Sequence, residues 1–205
     1  MKRNLLASAA IILGLALTAT TRLTAAPEPA PIPPTGTWEL TFKNFSPERF
    51  DTVENGKKVT YWYLRYTVTN NTGRAVLFTP DFELLTDSGQ AAVAYKGVDR
   101  ATYGKIKALW NSKLLESPFE ILGRLLEGDD NARDGVAIWA NIDGDARFFT
   151  ILVQGLSNET TTTKNPLTGA EVVLQKTLQL DYKIPGQQIG IDPKPEFKGK
   201  KWVMK

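Results

Sequence analysis

Asn141, Asp143 and Asp145 occupy alternate positions of one short loop, a spacing that sets three oxygen ligands on the same side. A calcium loop begins this way, but it also carries glycine at position six and a bidentate glutamate at position twelve. Here those positions hold Ala146 and Leu152. The three residues read first as a hairpin turn built on Asp143-Gly144 and only second as ligands for a cation. Glu127, Asp129, Asp130 and Asp134 form the densest acidic cluster. Paired carboxylates can hydrolyse glycosides, but such enzymes usually line the acid pair with aromatics, and this stretch has none. It reads as a solvated loop. Tyr61, Tyr63 and Arg65 share one face of an alternating segment, opposite Trp62. Left exposed, they would make a small aromatic patch with a cation beside it, a candidate binding surface. Trp202 lies in a lysine-rich end, 187–205, which reads as a solvated tail able to touch an anionic polymer or lipid.

Other chemistries are closed by composition. The 205 residues include no histidine and no cysteine, which removes histidine-based triads, thiol nucleophiles and the usual zinc, copper and iron ligand sets. Neither glycine-rich phosphate motif occurs, and no cofactor is implied. Lys2 and Arg3 precede an apolar run, Leu5–Ala19, followed by small residues at Thr24-Ala25-Ala26. This is the pattern of an export signal over 1–26, with no membrane span left after its removal. The chain carries 25 basic and 22 acidic residues; the leader takes Lys2, Arg3 and Arg22 and no acid, leaving 22 of each. A body with no net charge gives no reason to expect nucleic acid as a partner.

The elements that must position these residues are mostly strands. Residues 27–36, with five prolines, read as an extended linker. Strict alternation over Trp62, Leu64, Tyr66 and Val68 marks a strand, and Asn70-Asn71-Thr72-Gly73 reverses the chain toward a neighbouring strand. Further strands are expected near 37–42, 75–79, 82–86, 90–95, 136–142, 147–154 and 172–183, with a polar loop at 157–164. Between 98 and 127 the period changes. Tyr103, Ile106, Trp110 and Leu114 suit an amphipathic helix, and Pro118 suits the start of a second. Seven or eight short strands predict a mainly β, antiparallel sandwich over 37–186 with a helical insertion near 98–127.

The stretch from Tyr61 to Gly89 resembles the immunoglobulin-like domains of many secreted bacterial proteins. GVAIWANIDGDARFFTILVQGLSN and VVLQKTLQLDYKIPG are similar to one planctomycete group of such proteins of unknown function. The resemblance covers about 37–186 and implies fold and export, with no catalytic residues to carry over. The expected function is a non-enzymatic structural or interaction module of the cell envelope, with an envelope protein or polysaccharide as partner. The alternative is a carbohydrate-binding or weakly hydrolytic protein of the same fold.

Overall fold

The computed structural model describes residues 36–185 and 194–205; the expected leader and nearly all of the expected linker lie outside them. The chain runs through β1 (Thr41–Asn44), β2 (Glu48–Glu54), β3 (Lys57–Thr69), β4 (Val76–Phe78), β5 (Asp81–Thr86) and β6 (Ala91–Val93). After α1 (Arg100–Leu109) come β7 (Leu115–Glu116), β8 (Gly123–Leu125), β9 (Arg133–Ala140) and β10 (Phe148–Gln154). β11 (Thr160–Lys164), β12 (Glu171–Lys183) and β13 (Glu196–Met204) complete it.

Two antiparallel sheets face each other. One has the order β1-β3-β9-β7, with β2 also on β3; the other runs β11-β12-β10-β5-β6, with β13 also on β12. The paths β1-β3-β9-β7 and β12-β10-β5-β6 are the A-B-E-D and G-F-C-C′ arrangement of an immunoglobulin-type sandwich. One departure is that β7 joins β9 in parallel, through Leu115 and Glu116. Trp62, Leu64, Tyr66 and Val68 are buried between the sheets with Phe82, Leu84, Phe149, Ile151, Leu178, Leu180 and Tyr182. Antibody domains bridge their B and F strands with a disulfide. Here Trp62 on β3 meets Phe149 on β10, ring centres 5.6 Å apart, so an aromatic contact spans that position.

Several connections differ from the sequence expectation. Asp143-Gly144 closes no hairpin: β9 pairs with β3 and β7, whereas β10 pairs with β5 and β12, so the loop carries the chain from one sheet to the other. The two-residue hairpin is Asn55-Gly56, both at positive φ (50° and 76°), joining β2 to β3. The reversal at 70–73 likewise leads away from β3, to β4, which pairs with β8. Asn70 holds that turn, donating to the carbonyls of Arg74 and Leu125 at 2.8 Å each. The four threonines read as loop form β11, and the lysine-rich end read as a tail forms β13 along β12.

The insertion contains one helix, not two. Ser117 and Glu120 make the reciprocal capping box of a helix start (Ser117 N–H to Glu120 Oε2, 2.7 Å; Glu120 N–H to Ser117 Oγ, 3.2 Å). Only one turn follows, because Gly123 adopts φ 128° and the chain enters β8 against β4. Nor does the apolar stripe reach its expected end, since α1 stops at Leu109 and Leu114 is exposed.

Candidate functional site

β3 is a central strand, and its outer face carries Tyr61, Tyr63 and Arg65. The expected open patch is closed. Tyr61 and Tyr63 are buried, because α1 lies over them and packs Ile106 beside Val136, Ile138 and Leu115. The helix is started by Asp99, whose carboxylate accepts the Thr102 N–H at 2.6 Å. Tyrosine suits this position because its ring can be covered while its hydroxyl reaches a polar rim. The Tyr61 hydroxyl donates to Glu54 (2.9 Å), and that of Tyr63 donates to Glu48 (2.9 Å) while accepting from Trp110 Nε1 (3.2 Å).

The Arg65 guanidinium is held between two rings, 3.2 Å from the centre of Trp110 and 4.7 Å from that of Phe45. Glu48 lies 3.9 Å away. Burial, then the neighbouring Glu48, pushes the Tyr63 hydroxyl up to about 12, so it stays protonated at neutral pH. These groups answer one another. Chemically the arrangement is a latch that fixes the C-terminal end of α1 to the sheet.

At the other end of α1 a cavity of about 400 Å³ opens beside the Ser117–Glu120 turn. Tyr95, Val98, Tyr103, Pro118 and Phe119 line it, with Asp99, Arg100 and Glu120 also at its wall. The Tyr103 hydroxyl donates to the Leu115 carbonyl (2.9 Å) and lies 3.2 Å from Glu120, which ties the helix to the turn. Hydrogen bonds from Ser117 hold the Glu120 carboxyl below its usual range. Tyr95 takes a left-handed backbone conformation (φ 65°), uncommon for an aromatic residue. Its hydroxyl is enclosed and has no hydrogen-bond partner among the described residues. The capping-box spacing Ser117-x-x-Glu120 was the sequence signal that could have found this place.

The remaining candidates are not brought together with either region. Trp202 packs half-buried against the inter-sheet core, with the Lys176 ammonium 5.1 Å from its ring centre. Lys176 in turn pairs with Glu159 (2.6 Å) and Glu39 (2.8 Å), so Trp202 belongs to a packed edge and not to a solvated tail. In the 141–145 loop, Asp143 Oδ1 accepts the Asp145 N–H (2.9 Å), while Gln90 bonds the Asp143 N–H and the Asn141 carbonyl (2.8 Å each). The loop is pinned by its own bonds. In the acidic stretch Asp134 is part of β9 and accepts from Thr67 at 2.7 Å. No cluster of three or more cysteine, histidine, aspartate or glutamate side chains suited to a metal ion occurs among the described residues. No helix among them is long and apolar enough to cross a membrane. No protein-family model, no curated protein and no solved structure matches the chain.

Proposed function

We propose that this chain is an exported, non-enzymatic β-sandwich protein that works as an interaction module of the cell envelope. One observation carries the reading. Exposed large apolar side chains gather on the insertion: Phe119 is 82% and Leu114 75% accessible, and Leu109, Leu122 and Leu126 are exposed with them. Leu77, also exposed, is on β4, the strand that holds β8. Surface apolar residues scattered singly need no explanation, and it is their number on this one segment that supports a contact surface there. The latch supports the same reading, because it fixes the segment that bears these side chains. The export half of the proposal rests on Lys2, Arg3 and the run Leu5–Ala19.

The test is co-sedimentation of the purified protein with an envelope fraction of the source organism. The parent chain should be retained. A variant with Leu109→Asp, Leu114→Asp and Leu122→Asp should stay in the supernatant while melting at the parent temperature. Equal retention of both proteins would overturn the proposal.

A further inference from the structure

The cavity at the start of α1 has a chemistry of its own. Its size falls within the range of small-molecule sites, about 300–1,000 Å³. Tyr103 and Phe119 contribute flat apolar rings, and Phe119 is largely uncovered. Asp99 and Glu120 supply carboxylate acceptors that still have lone pairs after bonding Thr102, Ser117 and Tyr103. Arg100 supplies guanidinium donors. Tyr95 forms part of the wall, held there by a strained backbone, with its hydroxyl enclosed behind it. Backbone strain of this kind persists where the surrounding structure enforces it.

We infer that this cavity binds a neutral sugar residue of a glycan. The inference rests on the interaction-module reading and adds to the apolar surface a second, weaker contact that does not by itself hold the protein on the envelope fraction. Sugars present a C–H face that packs on aromatic rings, together with hydroxyls that both donate and accept. The two carboxylates accept hydrogen bonds from the sugar's hydroxyls, while Arg100 serves its acceptor oxygens. Charge selects against acidic glycans and phosphates, since two carboxylates stand against one guanidinium in the wall. An extended peptide would need a row of backbone partners, whereas the cavity offers side chains.

The experiment is calorimetric titration of the full chain with neutral di- to tetrasaccharides of hexoses and N-acetylhexosamines, with uronic-acid oligosaccharides in parallel. At least one neutral sugar should bind, and the acidic series should bind more weakly. Asp99→Asn keeps the helix cap and should weaken binding about tenfold, the equivalent of one lost hydrogen bond, with little change in melting temperature. Phe119→Ala should weaken it at least as much. The Leu109→Asp, Leu114→Asp, Leu122→Asp protein should bind the sugar normally. If the parent chain takes no neutral sugar at millimolar concentration but is still retained by the envelope fraction, the sugar inference falls and the module reading stands. If the parent shows neither behaviour, both fall. A preference for acidic sugars, or undiminished binding by Asp99→Asn and Phe119→Ala, would also overturn the inference.

Discussion

The two faces of β3 are both buried, yet they are covered by different means. Inward, Trp62, Leu64, Tyr66 and Val68 meet the second sheet in a largely apolar layer. Outward, Tyr61 and Tyr63 meet a ten-residue helix, and their hydroxyls end on Glu54 and Glu48. A whole sheet can exclude water from its partner, so the inner face needs few polar atoms. A short helix leaves open margins, and side chains with apolar bodies and polar tips fill them. Inner packing should therefore respond most to lost volume, and outer packing to the loss of its hydroxyl contacts.

The largest effect should come from the inner face. Leu64→Ala opens a void at a fully buried position and should lower the unfolding free energy by about 2–5 kcal/mol, read from urea denaturation. A loss no greater than that of a surface substitution would mean the inner layer is not the main support. A smaller effect belongs to the latch. Tyr63→Phe removes the donor to Glu48 and the acceptor of Trp110, costing about 1 kcal/mol at neutral pH. Folding raises the Tyr63 pKa from the ordinary 10.0 to about 12. The stability tied to it is thus complete below about pH 10 and is lost as the pH rises toward about 12. The variant should lose less stability than the parent over that interval in denaturation at stepped pH. Parallel alkaline curves would show that the Tyr63 hydroxyl adds nothing to the cover of the outer face.

The last contrast, which contains the smallest expected effect, separates two turns. Gly56 sits at φ 76°, where alanine is strained, so Gly56→Ala should cost about 1–2 kcal/mol. Gly144 is not at positive φ and an added methyl there meets nothing within 4 Å. Gly144→Ala should stay within about 0.5 kcal/mol of the parent, both read from urea denaturation. Equal losses would show that both turns set strand register.

These turns also show what was legible. The alternation of Trp62 to Val68 and of Leu178 to Tyr182 placed the inner core correctly, because period two is a local property of a strand. Asp143-Gly144 looked like a hairpin because it favours a tight turn. Which sheet the next strand joins depends on distant partners, and β10 finds β5 and β12. The threonines of β11 carry no apolar alternation, and the lysines of β13 mask its pairing, so both strands were hidden. At the candidate sites, the types of Tyr61, Tyr63 and Arg65 were readable but not their cover. Of the cavity beside Tyr95 only the capping box Ser117-x-x-Glu120 was readable, because the cavity arises where that single turn meets the start of α1.

The pairing of β3 with β9 has a consequence for how fast the fold is reached. Leu64 lies opposite Ala137, and Ile151 opposite Leu84, so each sheet closes through residues far apart in the chain. The hairpin at Asn55-Gly56 can form early, but its inner face stays bare until β9 and β10 arrive from beyond the insertion. Chains dominated by such distant pairings cross a high loop-closure barrier and refold in milliseconds to seconds, not microseconds. Throughout that interval the row Trp62, Leu64, Tyr66 and Val68 is an adhesive strand with no partner, and this is when the protein is most open to aggregation.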